Sequence, residues 1–236
     1  MKIAIVKLSS LGDIIHAMVV LQFIKNHNQN IEVDWIVEES YRELLNFHPD
    51  INKVHEVNIK NAKKKTSVFL LLNELRRIRK LGPYDLVIDM QGLIKSAIIS
   101  RLISSPATLG FDKFSIRENL ASIFYNQIFN YGYDENVIER NVALMSFALG
   151  LDVSKQEIKN KSPFLHLSRK HLNVNLSNVK RNILLIPGAS HISKCYPVSN
   201  LAELTTLIDA NFLTIWGDQK EKIMAEEIKT KAPSVS

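Results

Sequence analysis

The chain has 236 residues, 46% hydrophobic and 23% charged, with 30 basic side chains, 24 acidic ones and a formal net charge of +6. That is enough apolar material to bury a core and enough length for one large domain or two small ones, so disorder is excluded as a description of the whole. The single Cys195 excludes an internal disulfide framework and, with no signal peptide at the start, points to a reducing cytoplasm.

Ile3 to Val6 is a short apolar run, closed by Lys7-Leu8-Ser9-Ser10-Leu11-Gly12-Asp13 and followed by a longer apolar stretch from Ile14. This reads as buried strand, tight loop and helix, the first turn of a βαβ unit. Ligands of open parallel sheets bind at the carboxyl ends of strands, which makes Ser9, Ser10 and Asp13 candidate site residues. Gly12 is expected to let the backbone approach a ligand or take a conformation closed to other residues. Asp13 equally suits a helix cap, and the local pattern leaves both roles open.

Residues 31–37 alternate as a second strand, 40–47 suggest a short helix, and 54–57 a third strand. A basic loop at 60–66 leads into a helix over 67–80 with Val68, Leu71, Leu72, Leu75 and Ile78 on one face, stopped by Gly82-Pro83. Residues 84–89 form a central strand, so strands and helices alternate as in an α/β fold. The loop Asp89-Met90-Gln91-Gly92-Leu93 then leaves a strand end, its Asp and Gln either facing a ligand or satisfying backbone donors around the turn. In the 110–125 block, the planar guanidinium of Arg117 suits a phosphate or a sugar carboxylate, or else a surface ion pair with Glu118 or Asp112. A helix from Glu139 to Leu149 ends at Gly150, and the polar stretch that follows marks a domain boundary. The pattern restarts with strands at 182–186 and 212–216 and helices at 197–210 and 218–231. Ser190 and Lys194, in the loop between, offer a hydroxyl and an ammonium to a diphosphate, although neither phosphate-binding glycine fingerprint is present.

The charge surplus is local. Lys60, Lys63, Lys64, Lys65, Arg76, Arg77, Arg79 and Lys80 face one acid, Glu74, within 21 residues, while the remainder holds 22 basic and 23 acidic residues. This suits an anionic partner, or a solvated loop and helix face. No apolar run reaches the roughly 18 to 20 residues that span a bilayer. Any membrane contact is therefore expected to be peripheral.

Ser9-Ser10-Leu11-Gly12-Asp13-Ile14-Ile15-His16, the Asp89-x-Gln91-Gly92-Leu93 loop, the 110–125 block and Arg140 together resemble the lipopolysaccharide heptosyltransferase I family, in glycosyltransferase family 9. Lys194 with Ser190, and Glu221 after Trp216-Gly217-Asp218, extend the resemblance over nearly the whole chain; Tyr196 replaces a usual Trp, and Ala189 stands where a hydroxyl residue can occur.

The resemblance implies a GT-B type α/β fold with two Rossmann-like domains and parallel sheets. Residues 1–150 would form the acceptor domain, 151–162 a linker, and 163–236 a partial nucleotide-sugar domain, incomplete because the family continues with an Asp-x-Gly-x-x-His type segment. It implies transfer of heptose from ADP-heptose to Kdo of Kdo-lipid A with inversion, Asp13 acting as catalytic base. Ser9, Ser10, Gly12, Lys60, Lys63, Lys64, Gln91, Arg117 and Arg140 would surround the acceptor; Ser190, Lys194 and Glu221 would face the donor. No metal or cofactor is expected, and the protein is expected to be a cytoplasmic monomer in peripheral contact with the inner membrane. Another GT-B heptosyltransferase, a non-catalytic truncated remnant and a basic nucleic-acid-binding protein are the other readings. The last lacks aromatic residues among Lys60–Lys65 and any recognisable binding module.

Overall fold

The computed structural model describes residues 1–59, 68–166, 174–189, 191–233 and 235. They fall into two compact units, Met1–Arg169 and Lys170–Ser236. In the first unit, strands β1 (Lys2–Val6), β2 (Glu32–Glu38), β3 (Lys53–Val57), β4 (Leu86–Asp89), β5 (Thr108–Phe111) and β6 (Gln127–Phe129) form one sheet in the order 3-2-1-4-5-6. Every pairing is parallel. The helices are α1 (Leu11–Met18), α2 (Val20–His27), α3 (Val68–Ile78), α4 (Ile94–Leu102), α5 (Val137–Leu149) and α6 (Lys155–Lys159). The sheet grows one way from β1 to β3 and the other way from β4 to β6, so β1 and β4 flank the point where strand order reverses.

Successive strand residues point to opposite faces, and both faces are covered. Ile3, Ile5, Val33, Trp35 and Ile88 pack with Ile14, Met18, Leu21, Leu144 and Met145. On the other face Ala4, Val6, Ile36 and Val87 pack with Ile78, Tyr84 and Ile99. This double burial is why β1 reads as an unbroken apolar run. Helix α5 starts at Val137, because Asn136 Oδ1 accepts from the Ile138 and Glu139 amides, and it closes at Gly150 in the left-handed region.

Several expectations are corrected. Residues 151–162 are not a free linker. The Ser154–Glu157 capping pair nucleates α6, and Leu151, Val153, Ile158 and Phe164 pack on the first core. The first unit therefore runs to Arg169 rather than ending at residue 150, and the second begins at Lys170 rather than 163. The helix expected at 40–47 is a 3-10 turn, Glu39–Leu44. On α3, Ile78 is buried, but Val68 and Leu72 stay exposed. Part of the basic surplus is committed internally, since Arg77 pairs with Glu74 at 2.5 Å and also donates to the Glu56 carbonyl.

In the second unit, β7 (Asn182–Leu185) and β8 (Asn211–Thr214) pair in parallel, with α7 (Val198–Leu207) and α8 (Gln219–Lys231). Leu185, Leu201, Phe212 and Ile228 form its core. Among the described residues no helix is long and apolar enough to cross a membrane.

On β2, Asp34 is fully buried and accepts hydrogen bonds from Tyr84 (2.7 Å) and Asn52 (3.0 Å), with His55 Nε2 at 3.1 Å and Lys2 Nζ at 3.5 Å. Burial alone would raise its pKa, but His55, Asn52, Tyr84 and Lys2 together hold it well below the usual carboxylate range. A depressed carboxylate contributes stability above its unfolded pKa of about 3.9, and that stability is lost as pH falls toward the folded value. Tyr84→Phe is therefore expected to cost about 1.5–3 kcal/mol at neutral pH, the range for a hydrogen bond to a charged group. In denaturant titrations that difference should hold across the mildly acidic range and shrink only at strongly acidic pH, as the folded-state Asp34 carboxyl itself takes up a proton, because the unfolded carboxyl is common to both proteins. A difference that already shrinks between about pH 7 and pH 5 would contradict this account.

Candidate active site

Two loops leave the sheet where strand order reverses, one after β1 and one after β4. The second is built around Asp89, which is completely buried. Its Oδ1 accepts from Gln91 N (2.8 Å) and Gly92 N (3.2 Å), and its Oδ2 accepts from Tyr125 OH (2.9 Å). Burial raises the Asp89 pKa against the pull of these donors. Tyr125 lies so close over Gly110 that a Cβ there would collide with its ring. Gly92 adopts φ 69°, where a side chain would also strike Ile116. The turn so formed aims Gln91 across to the first loop, where its Oε1 accepts from Leu8 N (3.0 Å) and Ser9 N (3.2 Å). The two strand-end loops are thus tied by a side chain rather than by sheet pairing.

Between them lies a cavity of about 340 Å³, lined by Lys7, Asp13, Gln91, Arg117, Arg140 and Asn141 among others. Asp13 stands at the third position of α1, where its Oδ2 accepts from Ser10 N (3.1 Å) and Ser10 Oγ (2.7 Å). Burial pushes its pKa up, but the two Ser10 bonds and the charges of Lys7 and His16 outweigh that and leave it below the usual carboxylate range. Lys7 is 6% exposed, and its ammonium donates to Met90 O at 2.8 Å. Burial lowers its pKa, against the opposing influence of Asp13 and Asp89.

Arg140 lines the cavity but is 9% exposed, and its guanidinium donates to Gly132 O (2.7 Å) and Ser115 O (2.6 Å) while stacking on Phe111 and Tyr133. It clamps the cavity wall. Arg117, by contrast, is exposed at the rim and makes no hydrogen bond or ion pair among the described residues. Neither acid weighed as its partner takes it: Glu118 accepts from Ile94 N at the start of α4, and Asp112 is occupied by Ser115 and Asn130.

Asp13, Gln91, Arg117 and Arg140, expected from the sequence, therefore meet at one cavity. Ser9, Ser10 and Gly12 lie beside it rather than on its wall, Ser10 being spent on Asp13. The expectation for Gly12 is corrected. It lies within α1 without a positive φ, and nothing stands within 4 Å of where a Cβ would be, so neither backbone nor packing requires glycine. Lys60, Lys63, Lys64 and Ser190 lie outside the described residues. Lys7 and Asn141 were missed: Lys7 directly follows β1, a placement that could have marked it, whereas Asn141 sits unremarked beside Arg140.

In the second unit, Lys194 ends the 3-10 turn Ile192–Lys194 and is exposed. Glu221 accepts from Gly217 N at 2.6 Å, and its carboxylate fills the space a Cβ at Gly188 would need. It therefore joins the loops after β7 and β8. Among the described residues no cluster of three or more His, Cys, Asp or Glu offers a metal site.

The chain is similar to lipopolysaccharide heptosyltransferase 1 of Campylobacter coli, at 40% identity over 97% of this chain and 68% of that protein. The Salmonella typhimurium protein of the same name is 28% identical over 97% of this chain and 72% of its own length. The fold superposes on Escherichia coli heptosyltransferase WaaC with ADP-2-deoxy-2-fluoro heptose, with TM-score 0.83, 27% identity, and 100% of this chain against 75% of that one. The family model for glycosyltransferase family 9 (heptosyltransferase) matches residues 74–235. With its doubly wound first unit and a carboxylate-bearing cavity at the strand-order switch, the chain belongs to glycosyltransferase family 9, the heptosyltransferases.

Proposed function

We propose that this transferase moves a heptose from ADP-heptose to a Kdo sugar of Kdo-lipid A in lipopolysaccharide inner-core assembly, inverting the anomeric centre. The observation that carries the reading is the Asp13 carboxylate on the wall of a cavity that also holds Lys7 and Arg117. The relatives' names and the ADP-heptose analogue held by WaaC support the donor and the reaction. The Kdo acceptor rests on the family resemblance.

In the in-line step, the acceptor hydroxyl oxygen bonds to the anomeric carbon as the bond from that carbon to the diphosphate breaks. The hydroxyl proton passes to Asp13, and ADP leaves with the bonding pair. Lys194 neutralises charge on the departing diphosphate, Ser190 assists it, and Glu221 holds the neighbouring loop. Because the Ser10 bonds make Asp13 a weak base, the proton moves late, when bond formation has already acidified the hydroxyl. Arg117, with Lys60, Lys63 and Lys64, binds anionic groups of the acceptor. The enzyme works as a cytoplasmic monomer in peripheral contact with the inner face of the membrane that carries its lipid acceptor.

Asp13→Asn and Asp13→Ala are expected to lower turnover on the order of 100-fold or more while the protein stays folded, the usual scale of a general base. Near-normal turnover in a destabilised protein would reduce Asp13 to a helix-start residue. With its pKa below the ordinary range, Asp13 stays ionised from mildly acidic pH upward, so kcat/KM should show no Asp13 limb above about pH 5. Ser10→Ala removes one hydrogen bond to the carboxylate and should move the acid limb upward. A parent profile with an Asp13-dependent limb near neutrality would contradict the assignment. Changing Lys60, Lys63 and Lys64 together to Ala should weaken acceptor binding and flatten its salt dependence without changing ADP binding. Equal acceptor affinity by calorimetry at low salt would make the basic loop mere solvated surface.

A further inference from the structure

Two polar groups on the cavity wall have donors that the fold leaves unused. Asn141 projects from α5 and is 2% exposed, and its Nδ2 has no hydrogen-bond partner among the described residues. An amide nitrogen buried without a partner is costly, and such groups are rare unless something else uses them. The Lys7 ammonium carries three N–H bonds, yet among the described residues Met90 O is its single acceptor and no carboxylate stands within ion-pairing distance. A cation buried without a direct counter-ion is likewise unfavourable. Both side chains line the same cavity as Asp13.

The charge of the cavity narrows the ligand. Its lining holds three cations, Lys7, Arg117 and Arg140, against two carboxylates, Asp13 and Glu135. The surplus is one positive charge, which a monoanion neutralises and a doubly charged phosphate would overshoot. A carboxylate brings one charge and two acceptor oxygens, which an ammonium and a carboxamide can satisfy together. About 340 Å³ lies within the range of small-ligand sites.

We infer that the Lys7 ammonium and the Asn141 carboxamide receive the carboxylate of the acceptor sugar at this cavity wall, an inference that rests on the acceptor reading above. Asn141 is thereby a specificity-determining residue for the reaction. It selects an acidic sugar by leaving a neutral one with two unpaired buried donors.

The test uses the whole chain and two probes, free Kdo and its methyl ester, with binding read by calorimetry. The parent should prefer the acid about tenfold or more, the scale of one charge-assisted hydrogen bond. Asn141→Leu and Lys7→Met should each lose most of that preference, chiefly by weaker binding of the acid. Asn141→Asp should bind the acid worse still, because it sets a second carboxylate against the first. ADP affinity should not change in any of them. Since Asn141 Nδ2 makes no hydrogen bond in the fold, Asn141→Leu should melt no lower than the parent. Should it fail to fold, Asn141→Ser reads the same loss with a smaller polar side chain. Acid preference unchanged in these variants would overturn the inference. If the parent binds Kdo with the expected preference but transfers nothing to Kdo-terminated acceptors, the functional reading fails while the carboxylate site at Lys7 and Asn141 stands. Transfer with preference intact in Asn141→Leu would have the opposite meaning.

Discussion

A buried carboxylate has to be paid for by its neighbours, and Asp89 shows how that requirement shapes the rest of the site. Taken out of water at the end of β4, it needs donors, and it finds them in Gln91 N, Gly92 N and Tyr125 OH. Those bonds set the turn that carries Gln91, and Gln91 Oε1 then holds Leu8 N and Ser9 N on the neighbouring loop. Asp13 stands in the first turn of α1, four residues after Ser9, and lines the cavity between the two loops. Without the Asp89 turn, the Leu8 and Ser9 amides would lose the side-chain acceptor that the loop after β4 offers them. Gly92 and Gly110 are small because this turn needs a positive φ at one position and a phenol ring at the other.

In the proposed mechanism Asp13 serves two purposes that pull against each other. Its bonds to Ser10 fix the start of α1 and fix the carboxylate's own direction, which a positioned base requires. The same bonds stabilise its charged form and weaken it as a base. The arrangement suits a reaction in which the nucleophile becomes acidic only as it attacks, so that geometry counts for more than proton affinity. Arg140 shows a similar split, with its charge on the cavity and its donors spent on two carbonyls.

Much of the first unit was legible in the sequence because its strands near the switch are continuous apolar runs and its loops end in Gly and Asp. Both the Ser9–Asp13 and the Asp89–Leu93 loops were legible as polar loops at strand ends, whereas the tie between them through Gln91 was not. What escaped had weak local signals. β5 and β6 have four and three residues, and only the pairing of β5 to β4 and of β6 to β5 makes them strands. Residues 151–162 looked like a linker because they are polar, yet a few apolar side chains suffice to seat them on the core. Local pattern could not separate ligand-facing from backbone-satisfying roles for Asp89 and Gln91, and the structure gives both the second while leaving Gln91 on the cavity wall. Asn141 is polar on a face of α5 that is otherwise apolar, a departure from pattern that periodicity alone treats as noise.

The claim on which the rest turns is that Gln91 holds the first loop in place for Asp13, and amide hydrogen exchange reads it directly. In Gln91→Leu, exchange at Leu8 and Ser9 should accelerate while the amides of β2 keep their protection, and heptose transfer should fall along with the lost protection. Leu8 and Ser9 amides that stay as protected as in the parent, or that lose protection with transfer unchanged, would contradict the account.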